Sequence, residues 1–133
     1  MRINMVSEIK LGNKIFALIV DLRTIQEGTF PVTNPKWSLQ LLLMKRKKDH
    51  VIAKHVHKRI EKVTKQPQEA IIVIKGAIQI SIFDRKGKFI AEKKVQAGEC
   101  ALILDGAHEV KMIKKSLVYA IKDGPYVDDK VFI

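Results

Sequence analysis

Cysteine, aromatic residues and acidic residues are all scarce in this chain, and each shortage excludes something. A single cysteine, Cys100, rules out a disulfide within the chain and suits a reducing, cytoplasmic compartment. It stands in the apolar run "CALIL", where a small buried hydrophobe is the expected role rather than a nucleophile. Aromatics make up only 6% of the residues, too few to interleave stacking platforms with cations in the manner of single-strand nucleic-acid binders. No long hydrophobic run is present. The run "IFALIV" (15–20) falls far short of the roughly 20 residues a membrane-spanning helix needs. The first residues, "MRINMVSEIKLG", show no apolar signal core and no small-residue cleavage site, so no signal peptide is expected.

What is present suffices for one folded domain. The chain has 133 residues, of which 47% are hydrophobic, enough for a core of its own. The apolar residues come in short runs, many alternating with period two, rather than in helical stripes. Strands are expected at 14–21, 38–46, 70–76, 77–84, 88–95, 99–104 and 117–122. Turn signals separate several of them: Lys75-Gly76, "DRKGK" at 84–88, "QAG" at 96–98 and "DGAH" at 105–108. Short strands at this spacing predict an all-β sandwich or barrel.

Charge is the unusual bulk property. Lysine and arginine number 25 against 14 acidic residues, a formal net charge of +11. Nine of these cations and only two acids fall in "KRKKDHVIAKHVHKRIEKVTK" (45–65). Such a patch attracts anions of any class, from phosphorylated metabolites to polymers, or it is simply a solvated face. Nucleic acid is disfavoured as a partner because the patch lacks aromatics.

Inside that patch stand His55 and His57, two of the four histidines. If 51–59 is a strand, residues two apart share a face about 6.6–7 Å apart at Cα, so both rings can aim at one point. Val51 and Ala53 lie in the same row and suggest that the row faces inward. A metal ion held by imidazole nitrogens at about 2.0–2.1 Å would account for such a pair.

Glu69 opens the strand that ends at Gly76, and His108 follows the glycine turn of "LDGAH". Together with the H-x-H pair these residues resemble the two metal-binding motifs of the cupin superfamily, over about residues 38–126. The resemblance implies a double-stranded β-helix, or jelly-roll barrel, with His55, His57, Glu69 and His108 holding one divalent transition metal (Fe, Mn, Ni or Zn). Departures are visible. Asp49 stands where the first motif has glycine, a place where Asp tolerates left-handed backbone. Eleven residues separate His57 from Glu69, read here as a longer hairpin, and Glu69 is favoured over Glu61 because Gly76 follows it at the motif's spacing. The ending "VYAIKDGPYVDDKVF" (118–132) is similar to that of the WbuC-like group of small cupin-fold metalloproteins found among polysaccharide-biosynthesis genes. The segment "HVHK" also resembles one in the sugar ketoisomerases, which work without metal.

The resemblance implies metal-centred chemistry on an anionic, carbohydrate-type or nucleotide-sugar small molecule, such as isomerisation, epimerisation or dioxygen activation. Lys54, Lys58, Arg59 and Tyr126 are the candidate substrate-binding residues. Tyr119, among apolar neighbours, is expected in the core. Two alternatives stay open: a cupin that binds or senses a ligand without turnover, and an anionic-polymer binder acting through 45–65. The domain is read as one unit, with residues 1–37 as N-terminal strands and 38–126 as the metal-binding barrel. Residues 14–37 are expected to contribute to a homodimer interface.

Overall fold

The computed structural model describes residues 5–133; the first four residues, part of the N-terminus read for a signal peptide, lie outside it. Ten strands and no α-helix occur among the described residues: β1 (Val6–Leu11), β2 (Lys14–Asp21), β3 (Gly28–Pro31), β4 (Leu42–Lys45), β5 (Glu69–Lys75), β6 (Ala77–Phe83), β7 (Phe89–Gln96), β8 (Glu99–Ile103), β9 (Ala107–Met112) and β10 (Leu117–Lys122). They form a five-stranded sheet ordered β1-β2-β8-β5-β10, a three-stranded sheet ordered β7-β6-β9, and the separate hairpin β3-β4. All strand pairs are antiparallel. The fold is therefore all-β, as expected. No helix of the described residues is long and apolar enough to cross a membrane.

Two cores explain the sequence pattern. The first lies between the large sheets and joins Phe16, Ile71, Val73 and Ile103 of one to Ile78, Ile80, Ile82 and Val95 of the other. The second covers the opposite face of the five-stranded sheet, where Leu18, Val20, Cys100 and Leu102 meet Leu43 and the partly buried Phe30 and Trp37. The middle strands β2 and β8 are thus buried on both faces. That is why "FALIV" and "CALI" are continuous apolar runs while outer strands alternate. "IFALIV" is accordingly an interior strand of the chain's own core, so its apolar side chains are consumed there.

The turns fall where the glycines are. Gly76, Gly98 and Gly106 all have φ between 76 and 89°, and a Cβ at Gly106 would strike the Phe83 carbonyl and the Phe16 ring. Asp49 has φ 69°, the left-handed geometry expected of it.

Three expectations need correction. No strand occurs between Lys45 and Glu69, so 51–59 is not a strand and 58–68 is not a hairpin. Every residue from Met44 to Lys65 is exposed. The alternation there is real, but neither row is wholly apolar: Lys54 and Lys58 interrupt one, and His55, His57 and Arg59 the other. Burying either row desolvates charge or imidazole without a partner in place. The third correction is Tyr119, which is 56% exposed rather than in the core. It shares a face with Ile72, its cross-strand neighbour, but stands on β10, the outermost strand of the sheet.

Candidate functional site

Register places two of the four predicted ligands together. On β6, Ile78, Ile80 and Ile82 are fully buried, and their cross-strand partners on β9 are Met112, Val110 and His108. Directly opposed residues share a face, so His108 heads a row that looks into the space between the sheets. On β5 the row Glu69, Ile71, Val73 faces the same space, since Ile71 and Val73 belong to that core. Glu69 and His108 meet at one end of it. His108 Nε2 lies 3.2 Å from Glu69 Oε1, with side-chain exposures of 32% and 20%.

The surroundings fix both residues. Ahead of Glu69, the buried Gln68 accepts the Leu39 N–H at 3.1 Å through its side chain, while its own backbone N–H donates to Asp123 at 2.7 Å. Ahead of His108, Asp105 accepts the Gly106 N–H at 2.6 Å and pairs with Lys14 at 2.7 Å and Arg85 at 3.0 Å. Burial pushes the Asp105 carboxyl up, yet Lys14, the Gly106 N–H and Arg85 together hold it below the ordinary value. Glu69 is also held below the usual carboxylate range, chiefly by its bond to His108, with burial opposing and Lys122 and Lys130 assisting. Glu69 is thus kept anionic, the form that ligates metal.

The other two predicted ligands form a second pair. His55 and His57 stand edge to face with ring centroids 5.1 Å apart on the exposed arm. The His55 Nδ1–H donates to the Ala53 carbonyl at 2.7 Å. In a neutral ring that leaves Nε2 as the nitrogen with a lone pair, the arrangement found where a backbone carbonyl orients a metal-ligating imidazole.

The donor set suits a divalent transition ion. Two donors about 2.0–2.1 Å from one ion, at tetrahedral or octahedral angles, stand about 2.8–3.4 Å apart, and the Glu69–His108 distance falls within that span. Three imidazoles and a carboxylate match Fe, Mn, Ni or Zn. The four are nevertheless arranged as two pairs: among the described residues no three His, Cys, Asp or Glu side chains gather into a group able to hold an ion. Glu69, not Glu61, is the acid facing His108, and Glu61 lies on the exposed arm with His50.

Lys54, Lys58 and Arg59 are exposed on that arm. Tyr126, 83% exposed, lines an open cleft of about 430 Å³ with Thr64, Lys65, Lys122 and Asp123. A second cleft, about 460 Å³, lies between Trp37, Lys65, Gln66 and Asp105. Sequence reading took Asp105 only as a turn residue and passed over Gln68 and Arg85. The "DG" dipeptide marked the turn, but nothing in it announced Lys14 or Arg85 as partners. Cys100 is fully buried, and burial pushes its thiol up to about 12, which leaves it inert as a nucleophile. Compared with known proteins, the chain matches no family profile, no curated protein and no solved structure.

Proposed function

We propose that the protein is a cupin-type, metal-dependent binder of an anionic, carbohydrate-like small molecule, with isomerase- or epimerase-like chemistry as its activity. The observation that carries this reading is the Glu69–His108 pair, an acid and an imidazole 3.2 Å apart at one end of the space between two antiparallel sheets. His55 and His57 would complete the ligand set from the arm. A bound divalent ion would supply Lewis acidity toward a substrate carbonyl or hydroxyl. The chain's own residues do the rest. His108 holds Glu69 deprotonated, Lys54, Lys58 and Arg59 draw in the anionic group, and Tyr126 borders a cleft whose own cations are Lys65 and Lys122. The buried free thiol of Cys100 fits a reducing, cytoplasmic setting. A homodimer belongs to the same proposal. Because Phe16–Val20 are buried within the chain, its contacts fall to the exposed part of 14–37.

The test is elemental analysis of purified protein after loading with Fe(II), Mn(II), Ni(II) and Zn(II), followed by a turnover screen against nucleotide sugars. About one ion per chain is expected, lost in His57→Ala and in Glu69→Gln and retained in His50→Ala. A chain that takes up none of the four sinks the reading, and metal binding without turnover of any sugar reduces it to a ligand-binding cupin.

A second reading has its own observation. Nine cations lie in 45–65, and every residue from Met44 to Lys65 is exposed. An arm of that kind suits an anionic polymer, and heparin affinity would then fall steeply with salt, which a small-molecule site would not reproduce.

A further inference from the structure

We propose that residues 51–60 are a strap that closes onto the free edge of β9 as an added antiparallel strand. This rests on the metal reading only for what latches the strap, not for where it docks.

Four observations point to that edge. First, β9 pairs with β6 on one side and ends its sheet on the other, leaving a row of main-chain groups without a strand among the described residues. Second, the far end of that edge exposes apolar side chains, Met112 at 52% and Ile113, just past the strand, at 46%, whereas Glu109 and Lys111 point to the other face. Third, the strap has period-two alternation but no ladder, and Val51, Ile52, Val56 and Ile60 stand 57–91% exposed. Fourth, the chain leaving the strap is already tethered beside the start of β9. Arg85 bonds both Gln66 (3.3 Å) and Asp105 (3.0 Å), two residues ahead of Ala107.

The tether sets direction and reach. With Gln66 held near Asp105, a strap running along β9 must pass its start last, which is the antiparallel sense. Eight residues separate His57 from Gln66, and extended chain spans about 3.3 Å per residue, so the strap reaches the edge with slack. The same sense aligns the side chains. The inward row of β9 reads His108, Val110, Met112, and the strap laid against it reads Arg59, His57, His55, Ala53, Val51, with Arg59 falling past His108, beyond the start of β9. Both are polar at the end nearest Glu69 and apolar at the other. Sliding the strap by one residue would turn Lys54 and Lys58 inward instead, so the alignment is specific. Docked this way, the strap brings the histidine pair to the Glu69–His108 end and covers Met112. Its charges explain why it does not dock unaided: two imidazoles enter the interior, and a shared cation offsets that cost.

Hydrogen–deuterium exchange of the full-length chain, with and without Zn(II) and with zinc content measured on the same samples, tests the proposal. At a hundredfold excess of ion over its Kd, exchange in 51–60 should slow by up to about a hundredfold. The slowing should extend to β9 and vanish in His57→Ala. Zinc bound at one per chain while 51–60 exchange unchanged overturns the strap and leaves the metal reading standing. No zinc bound and free exchange overturns the zinc-latched strap, and the metal reading falls with it only if Fe(II), Mn(II) and Ni(II) are refused as well. Protection of 51–60 and β9 without zinc keeps the strap and overturns its metal latch. Protection that disappears on dilution would assign the docked strap to a second copy, overturning closure within one chain.

Discussion

The two pairs, Glu69 with His108 and His55 with His57, are chemically alike and structurally opposite. Glu69 and His108 are 39 residues apart and meet because β5 and β9 each hold a fixed register with a buried neighbour. His55 and His57 are two residues apart and meet because their spacing leaves them little choice. The first pair is held by ladders, by Gln68 and by the Asp105 turn; the second is held by one bond to the Ala53 carbonyl. Proximity in sequence brings two side chains together, but only a ladder and a buried face determine where the pair sits in the molecule.

The sharpest way to break that comparison is to disturb the support of each pair. Ile82 is fully buried and lies opposite His108 in the register, whereas Val56 is 91% exposed on the arm. Ile82→Ala should destabilise the protein by about 2–5 kcal/mol, the loss of buried contacts plus a cavity. Val56→Ala should stay within about 0.5 kcal/mol. Urea titration followed by far-ultraviolet circular dichroism measures both. Equal effects would mean that the arm is packed in solution as firmly as the sheets, and the distinction between the pairs would fall.

A smaller effect comes from acid. Glu69 titrates below its ordinary value of 4.5 in the folded chain, so the unfolded chain binds more protons in the window at and just below that value. The pair's contribution is therefore present above that window and lost as the pH falls through the folded pKa. Urea midpoints measured from about pH 6 to about pH 3 should drop less steeply in Glu69→Gln than in the parent. Identical acid limbs would show that the contact with His108 contributes nothing to folding.

The same contrast explains what was legible in the sequence. The runs at 15–20 and 100–103 are apolar throughout because a layer covers each face, and the strands that hold them are found where expected. The glycine turns at 76, 98 and 106 were equally plain, since left-handed backbone calls for glycine. β9 was missed: "AHEVKM" mixes a histidine, an acid and a lysine and borrows its strand character from β6. The arm fails in the opposite way, having the alternation of a strand without a partner to pair with. Glu69 and His108 were named together from a motif, and the registers of β5 and β9 bring the two side chains into contact. Their supports, Arg85 and Asp105, join through tertiary contacts that no local pattern encodes.

The smallest expected effect is at Arg85, and it bears directly on the arm. Its side chain is 66% exposed and pairs with Asp105, so the ion pair is screened and worth no more than about 1 kcal/mol. Arg85→Ala should therefore barely move the urea midpoint. Yet the same guanidinium donates to Gln66, where the arm rejoins β5. Without it the end of the arm loses its link to the start of β9, while the sheets keep theirs. Trypsin, acting on the nine lysines and arginines of 45–65, should cut the metal-free parent in this arm first and cut Arg85→Ala there faster still. Mass spectrometry of the fragments separates arm from sheet. Cleavage that begins in β6 or β7 instead, or an arm cut no faster in the variant, would show that Arg85 does not hold the arm in place.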